Sequence, residues 1–319
     1  LMSDINKLVK FIQKEFNRSL KLFPLPNKPK YLYDPIRYAL KGEGKRFRPI
    51  LVHISGKAYN LDPDIIMKIS LGVELLHCFT LIHDDIMDSD KLRRNMPTLH
   101  HQFDISSAIL AGDGLFTISQ LILNSIEHKP DAFMRYYNET VLEICEGQAL
   151  DKQFEELDDI SMDMYIEMVE KKTGALLGAS LCLPVVISGK SNNEIEKMKH
   201  VGRQLGIAFQ IQDDLLEIFE DENKMGKSLG SDIFSNKKTA IAIEANNLNK
   251  TEWDNLICQF DGKNLENIRS FLIRNKVKDK VETLAERYFN SAYNELSNLG
   301  FDNGSEIYNI FKIIQERNS

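Results

Sequence analysis

Residues 74–88 have the sequence Glu-Leu-Leu-His-Cys-Phe-Thr-Leu-Ile-His-Asp-Asp-Ile-Met-Asp. An apolar helical run therefore ends in Asp84, Asp85 and Asp88. Positions i, i+1 and i+4 of an α-helix are expected to share one face, so the cluster is predicted to stack three carboxylates within a single turn. Like charges at such spacing destabilise a helix by roughly 0.2–0.5 kcal/mol per pair. The cluster therefore predicts a bound cation.

A second acidic cluster repeats this pattern. Residues 205–217 have the sequence Leu-Gly-Ile-Ala-Phe-Gln-Ile-Gln-Asp-Asp-Leu-Leu-Glu, which places Asp213, Asp214 and Glu217 at the same spacing. One such cluster alone is typical of a solvated helix face, whereas two copies favour a functional pair. Hard divalent ions, Mg2+ above all, prefer a few carboxylates completed by water and substrate phosphates. We expect the two clusters to face each other and to hold a diphosphate through bridging metals.

Length and composition bound the class of protein. The 319 residues contain no Pro-, Gly- or Ser-rich linker, which favours one large domain spanning 1–319, with Leu1 expected to be a cloning remnant. A net charge of −7 argues against a nucleic-acid partner. The four cysteines lack metal-ligand spacing, no signal peptide precedes Met2, and no apolar stretch is long enough to span a membrane. These features predict a soluble, cytoplasmic protein.

Helical periodicity dominates the chain, and alternating strand segments are absent. The pattern predicts an all-α helical bundle around a deep central cavity. Two segments, 92–101 and 221–238, are predicted to be irregular, and each follows one acidic cluster. The predicted helices cover approximately 3–20, 33–41, 47–59, 63–87, 104–126, 131–152, 161–187, 192–219, 237–248, 264–272 and 276–298.

Basic residues accompany the acidic clusters. Residues 42–49, Gly-Glu-Gly-Lys-Arg-Phe-Arg-Pro, place three cations in a glycine-flanked loop before a helix. Glycine allows close backbone approach, and arginine offers a planar fork to phosphate oxygens. Each cation alone is equally typical of an ordinary surface ion pair. Together they exceed what one diphosphate needs, which indicates one phosphate site bound through metals and a second bound directly. The further candidate cations are Arg93, Arg94, Lys172, Lys227 and Lys237.

With these residues in view, the chain resembles the trans-isoprenyl diphosphate synthases, the polyprenyl synthetase family. The motif order matches over nearly the whole chain: Gly-Lys-Arg-x-Arg-Pro, the first aspartate motif, Arg-Arg, Gly-Gln, Lys-Thr, Phe-Gln-x-x-Asp-Asp and the late lysines. The resemblance implies an all-α isoprenoid-synthase fold, a homodimer, and about three Mg2+ ions as the only cofactor. It also implies head-to-tail condensation of isopentenyl diphosphate with an allylic diphosphate.

The resemblance assigns a role to each matching residue. Residues of the catalytic centre would be Asp84, Asp85, Asp88, Lys172, Thr173, Gln210, Asp213 and Asp214, with Glu217 completing the second motif. Direct metal ligands would be Asp84, Asp88 and Asp213. The allylic diphosphate would be neutralised by Arg93, Lys172, Lys227 and Lys237. Isopentenyl diphosphate would be bound by Gly44, Lys45, Arg48, His77 and Arg94. Gln148 would help to position the acidic helices.

Three departures from the family pattern keep the chemistry intact, and one of them is Asn236, which stands where many members have glycine. Glu217 stands where the family usually has Asp, which conserves the charge on a longer arm. Asn95 stands where a glycine usually follows the arginine pair, and asparagine tolerates left-handed backbone geometry.

Product length is expected to depend on the helix before Asp84. Phe79 lies five residues, or roughly 7 Å, below that aspartate, where its ring would block an elongating chain, and Thr80 is of modest size. The pattern resembles geranylgeranyl synthases (C20), with a farnesyl synthase (C15) as the alternative; ordinary core packing is the less favoured interpretation of Phe79. A class I terpene cyclase and a non-catalytic synthase subunit are the rival functions. Two intact acidic motifs and the second cation group disfavour both.

Overall fold

The computed structural model describes residues 2–42, 44–220, 230, 237–260 and 265–316. The helices in this part of the chain are α1 (Met2–Lys21), α2 (Lys30–Leu40), α3 (Phe47–Ala58), α4 (Pro63–Met87), α5 (Leu99–Gln102), α6 (Ile105–Asn124), α7 (Asp131–Glu155), α8 (Met162–Val169), α9 (Ala175–Ile187), α10 (Asn192–Phe219), α11 (Ala240–Cys258), α12 (Glu266–Arg274), α13 (Val277–Asn298) and α14 (Glu306–Glu316). A π-helical segment, Glu170–Gly174, joins α8 to α9. The all-α prediction is confirmed.

Helix α4 carries the first acidic motif at its C-terminal end. Asp62 caps its start by accepting a hydrogen bond from the backbone N of Asp64 at 2.8 Å, and Pro63 occupies the first turn, where its missing N–H is not needed. Every residue from 69 to 76 is buried. A helix buried all round is held by its neighbours, and α4 packs against α3 and α6.

Contacts divide the chain into two compact units, and the prediction of a single domain stays a prediction. The first unit comprises Leu1–Glu139, Ala179–Lys199 and Phe301–Ile310. Its core includes Phe16 of α1, Ile36 of α2, Leu75 of α4 and Leu115 of α6, which are all fully or almost fully buried. This packing fixes the C-terminal end of α4 within the first unit.

The second unit comprises Thr140–Gly178, His200–Gly300 and Phe311–Ser319. Its core gathers Tyr165 of α8, Ile211 of α10, Trp253 of α11 and Phe271 of α12. The second acidic motif follows Ile211 directly, so the same core that buries α10 also fixes that motif. The expectation that the two motifs face each other across a central cavity stays a prediction.

Two helices, α4 and α6, are long and apolar enough to cross a membrane by length and composition. The apolar window of α4 is 56% buried inside the fold, and that of α6 is 33% buried. Core helices of globular proteins meet the same criteria, so this finding is weak support for a span. The expectation of a chain without a membrane span stays a prediction.

Candidate active site

The last turn of α4 carries the first aspartate motif and no basic residue. Asp84 and Asp88 lie one turn apart, with the backbone N of Asp88 donating to the carbonyl of Asp84 at 2.8 Å, and both are partly exposed. Asp85 is only 4% exposed. Asp85 is rotated by about 100° from Asp84 and lies at the buried edge of the motif, and the expectation that the three carboxylates share one face stays a prediction. Two carboxylates remain accessible together.

Asp85 is paired inside the first unit. Its carboxylate accepts from Nε of Arg93 at 2.5 Å, and Arg93 also lies 3.6 Å from Asp90. Burial raises the pKa of Asp85 to about 6, and the adjacent Arg93 guanidinium opposes that rise. Arg93 therefore ties the segment after α4 back to the helix, and its predicted role as a diphosphate ligand stays a prediction.

A small hairpin follows α4 where the sequence predicted an irregular segment. Strands β1 (Leu92–Arg93) and β2 (Met96–Pro97) pair antiparallel around Arg94 and Asn95, whose φ angles are +53° and +62°. Two-residue hairpin turns of this kind need positive φ at both central residues, and asparagine is well suited to it. The expectation for Asn95 is confirmed. The turn brings Arg94 to Gly44, where a Cβ would lie only 2.6 Å from Nη1, so glycine permits this approach.

The loop before α3 is anchored by a buried arginine. Arg46 is 7% exposed and has a left-handed backbone, with φ of +52°. Its guanidinium donates to Glu74 of α4 at 2.6 Å, to Asn17 of α1 at 3.0 Å and to the carbonyl of Gly42 at 2.8 Å. The middle cation of the basic motif therefore fixes the loop that carries the other two cations, Lys45 and Arg48.

Those neighbours are held on either side of the anchor. The carbonyl of Lys45 accepts from Gln13 of α1 at 2.7 Å, and Nη1 of Arg48 lies 3.1 Å from Nε2 of His77. Glu74 and His77 are three residues apart on α4, so the contacts that Arg46 and Arg48 make with them lie next to each other along that helix. The structure therefore brings together four of the five residues predicted to bind the metal-free diphosphate, Gly44, Arg48, His77 and Arg94, and Lys45 follows Gly44 in the same loop.

His77 is neutral in this setting. Its pKa is held well below the usual range by burial first and then by the surrounding arginines, Arg48 and Arg94 among them. Since Arg48 can only donate, Nε2 of His77 must accept, and the ring proton resides on Nδ1.

A pH dependence of stability follows from the neutral His77. The unfolded state takes up a proton as the pH falls below about 6.5, whereas the folded state does not, so stability is lost from that point downward at up to about 1.4 kcal/mol per pH unit. We expect the His77→Gln variant to lose less stability than the parent protein between pH 7.5 and 5.5 in urea unfolding. Parallel losses in the two proteins would contradict this assignment.

The two predicted chain-length residues occupy different sides of α4. Thr80 precedes Asp84 by one turn and lies on its face of the helix, while Phe79 is rotated away from it. The Phe79 ring stacks on Phe116 of α6 at a centroid distance of 5.4 Å and meets the His83 ring edge-on at 4.7 Å. Both Phe79 and Thr80 are partly exposed. A ring pair, not a single ring, therefore stands beside the first motif.

The second motif, on α10, repeats the division found in the first. Asp213 is partly exposed, whereas Asp214 is 4% and Glu217 3% exposed. As in the first motif, the expectation that the three carboxylates share one face stays a prediction. In each motif the first aspartate is accessible and the second is buried.

Asp214 is bound by three donors within the second unit. Tyr165 Oη donates to Oδ2 at 2.7 Å, the backbone N of Ala240 donates to the same oxygen at 3.0 Å, and Gln210 Nε2 donates to Oδ1 at 3.1 Å. These bonds join α8, α10 and the start of α11. Asp214 therefore joins three elements of the second unit, and the catalytic role that the resemblance implies for it stays a prediction.

Removing the Tyr165 hydroxyl tests this anchoring role. Hydrogen bonds to buried charges are worth about 1.5–3 kcal/mol, so we expect Tyr165→Phe to lower the free energy of unfolding by that amount. The matched control is Tyr31→Phe, which deletes an equally short bond to Asp104 (2.8 Å) from a side chain that is 53% exposed. Equal losses in the two variants, measured by urea unfolding, would show that Asp214 needs no such anchor.

Lys172 lies in the π-helical segment Glu170–Gly174. Its Nζ is 2.5 Å from Oδ2 of Asp151 on α7. A Cβ on Gly147 would lie 2.3 Å from the backbone N of Lys172, so the two helices touch backbone to backbone there. π-Helical turns are frequent at functional sites because they re-aim side chains within a helix. The segment and its glycine contact together set the direction of Lys172.

Thr173 and Gln210 form one hydrogen-bonded chain. Because the amide of Gln210 donates to Asp214, its oxygen is left to accept from Thr173 Oγ1 at 3.2 Å. Thr173 and Gln210 line a pocket of the second unit together with Asp151, Lys172, Asp214 and Lys237. Of the residues predicted for this half of the site, Lys172, Thr173, Gln210, Asp214 and Lys237 line this pocket, Asp213 is not among its lining residues, and Lys227 lies outside the described residues.

Gln148 was predicted to help to position the acidic helices. The side chain of Gln148 is 8% exposed, and neither amide atom has a hydrogen-bond partner in the described residues, so no contact there supports a positioning role. Sequence analysis missed Asp151 and Tyr165. The spacing Gln148-x-x-Asp151, which puts both on one face of α7, was a usable signal for the first; none existed for the second. Within the described ranges, no three His, Cys, Asp or Glu side chains converge on one point.

Comparisons with known proteins agree with the fold and the motifs. The chain matches the family model described as "Polyprenyl synthetase" over residues 29–272. It is 40% identical over 244 residues to the geranylgeranyl pyrophosphate synthase of Geoglobus acetivorans, covering 76% of each chain. It is 33% identical over 306 residues to the geranylgeranyl diphosphate synthase of Sulfolobus acidocaldarius, covering 93% of this chain and 92% of the other.

A solved structure extends the agreement to three dimensions. A crystal structure of a geranylgeranyl pyrophosphate synthase superposes with a TM-score of 0.91 at 30% identity, covering 98% of this chain and 99% of the other. The predicted isoprenoid-synthase fold and prenyltransferase activity are thereby confirmed. The chain belongs to the polyprenyl synthetase family of trans-prenyltransferases.

Proposed function

We propose that this enzyme condenses isopentenyl diphosphate with allylic diphosphates to give geranylgeranyl diphosphate (C20). The observation that carries the proposal is the presence of two charged groups in the first unit, one acidic and one basic. Accessible carboxylates at the end of α4 suit a metal-bound diphosphate, while Lys45, Arg48 and Arg94 form a cation group of their own. A terpene cyclase, which takes one diphosphate, has no use for the second group.

The residues present fit Mg2+. Asp84 and Asp88 offer two hard oxygen ligands at the negative end of a helix whose last turn has no basic residue, so a cation there would relieve an unfavourable charge arrangement. Mg2+ commonly takes one or two carboxylates and completes its shell with water and phosphate. We assign Asp84 and Asp88, with Asp213 from the second motif, as the Mg2+ ligands. When bound, the metal stabilises negative charge on the departing diphosphate.

The protein's own groups then divide the remaining work. Lys45, Arg48 and Arg94 hold isopentenyl diphosphate by direct charge-assisted hydrogen bonds. Lys172 and Lys237 neutralise the allylic diphosphate, and the Thr173 hydroxyl, whose proton is donated to Gln210, presents its lone pairs toward developing positive charge. No protein nucleophile is required. Cation neutralisation in a site that excludes water lowers the barrier to ionisation.

Chain length is the sharpest test of this function. We expect the purified enzyme to stop at C20 and the Phe79→Ala variant, which opens the ring pair with Phe116, to release longer products. Thr80→Phe places a ring on the face of Asp84 and should shorten the product to C15. Products of isopentenyl diphosphate with each allylic diphosphate are to be sized by mass spectrometry.

The outcomes separate the rival functions. A parent product of C15 would favour the farnesyl synthase, and Phe79 would then not be the residue that limits product length. Unchanged product length in both variants would make Phe79 and Thr80 ordinary packing residues. Hydrocarbon or alcohol released from an allylic diphosphate alone would indicate a cyclase.

We also infer a homodimer in the cytoplasm. The outer face of α6 exposes four large aliphatic side chains, which is more apolar surface than one helix of a monomer usually presents: Ile105, Ile109, Leu110 and Leu121. A second copy is the occupant we assign to it. All four cysteines are free thiols, as is usual in a reducing compartment.

A further inference from the structure

Helix α1 presents a basic stripe to solvent. Lys7, Lys10, Lys14, Arg18 and Lys21 recur at spacings of three and four residues, so they share one side of the helix. All five are exposed, with the side chains of Lys7 and Arg18 at 76% and 71%. The carboxylates of α1, Asp4 and Glu15, lie at the edge of this stripe, 3.4 Å from Lys7 and 3.9 Å from Arg18.

The opposite side of α1 is buried, which fixes the orientation of the stripe. Ile5, Ile12, Phe16 and Leu20 are all less than 7% exposed and belong to the core of the first unit. Gln13 donates to the carbonyl of Lys45 and Asn17 accepts from Nε of Arg46, so hydrogen bonds with the loop before α3 further restrain rotation about the helix axis. The basic side therefore faces outward as a permanent property of the fold.

Large apolar side chains stand exposed among these cations. Phe11, in the middle of the stripe, is 61% exposed, and Leu22, just past the helix, is 69% exposed. Tyr31, after the exposed Lys28 and Lys30, is 53% exposed. Exposed apolar side chains beside a cationic helix face suit insertion into a lipid headgroup layer.

Charge is distributed unevenly along the chain. Residues 2–31 contain seven lysines and arginines against two carboxylates, whereas the whole protein has a net charge of −7. The net charge therefore conceals a locally cationic surface. An anionic partner would be attracted to this surface alone and repelled elsewhere, which gives binding a defined orientation.

We propose that the outer face of α1 docks the protein on anionic membranes, with Phe11 and Leu22 entering the headgroup region. Lipid is favoured over nucleic acid because six of the seven cations are lysines, which act as point charges, and Leu22 offers no ring for a base to stack on. The site is independent of the active-site residues and of product length. An enzyme with a hydrophobic product would thereby act at the membrane surface, and the membrane takes up that product.

The test is sedimentation of the full-length protein with vesicles of phosphatidylcholine alone or with 30% phosphatidylglycerol, a composition on the order of natural anionic leaflets. We expect binding only to anionic vesicles and its loss when salt is raised from about 0.1 to 0.5 M. Lys10→Glu/Lys14→Glu should weaken vesicle binding at least ~20-fold, since each basic residue near the surface contributes about fivefold or more. Phe11→Ser should weaken it ~5-fold without changing the salt dependence.

Matched controls decide the outcome. Lys276→Glu/Lys280→Glu makes the same change in net charge, and Ile273→Ser removes an apolar side chain that is 58% exposed, both in the second unit. These controls should bind vesicles like the parent, and all variants should keep parent activity with soluble substrates. Equal weakening by the controls, no binding to anionic vesicles, or tighter binding to RNA than to vesicles would overturn the proposal.

Discussion

Replacing Asp88 with Asn is expected to lower kcat by at least ~10³-fold while leaving the fold slightly more stable. An amide keeps the shape of the side chain but loses the charge that a cation needs, and electrostatic stabilisation of this kind is worth several kcal/mol in a transition state. In the absence of metal the carboxylate sits at the negative end of α4, where its removal should raise the free energy of unfolding by about 0.3–1 kcal/mol. A fall in kcat together with a rise in the free energy of unfolding is therefore the result expected of a metal ligand.

The control for this experiment lies on the same helix. Asp64 is exposed in the first turn of α4, at the end where a carboxylate is favourable, so Asp64→Asn should leave kcat unchanged and lower stability slightly. Thermal unfolding with Mg2+ and inorganic diphosphate adds a binding readout, since ligand stabilisation should be present in the parent and lost in Asp88→Asn. If Asp88→Asn kept both that stabilisation and full activity, Asp88 would not be a metal ligand.

Breaking the buried pair of Arg46 and Glu74 should give the largest loss of stability. The two side chains are 5% and 3% exposed and 2.6 Å apart, so removing either leaves an uncompensated buried charge. We expect Arg46→Met and Glu74→Leu each to cost about 3–5 kcal/mol in urea unfolding, and the double variant to cost less than either single change. Both single variants should also raise KM for isopentenyl diphosphate, because the loop carrying Lys45 loses its anchor.

A surface ion pair provides the comparison. Lys57 and Glu306 also approach to 2.6 Å, but their side chains are 60% and 38% exposed, so Lys57→Met should change the free energy of unfolding by no more than about 1 kcal/mol. Additive losses in the Arg46–Glu74 cycle would mean that the two residues act separately, and the positioning role would then be wrong.

The helical architecture was accessible from sequence because periodicity and caps are local signals. The predicted helix 63–87 matches α4 at both ends, where Asp62 and Pro63 mark the start. The π-helical segment was not predictable, because one extra residue per turn over five residues leaves the hydrophobic period almost unchanged. The sequence analysis therefore predicted one continuous helix over 161–187, without the π-helical segment.

The site was predicted unevenly for a related reason. Residue identities came from motifs, but the direction of each side chain depends on tertiary contacts. Nothing in the spacing Asp-Asp-x-x-Asp says which aspartate turns inward, and Arg93 and Tyr165, which bind the buried ones, lie 8 and 49 residues away. The single-domain and facing-motif predictions stay predictions.

The inward second aspartate of each motif has a consequence for recognising pseudoenzymes. Asp85 and Asp214 hold neighbouring elements together, while Asp84 and Asp213 remain accessible. A paralogue that lost only the accessible pair would retain its architecture and most of its motif letters, yet have no chemistry. A count of aspartates would therefore classify such an inactive paralogue as an active enzyme. The residue at the first position of each motif would instead identify it as inactive.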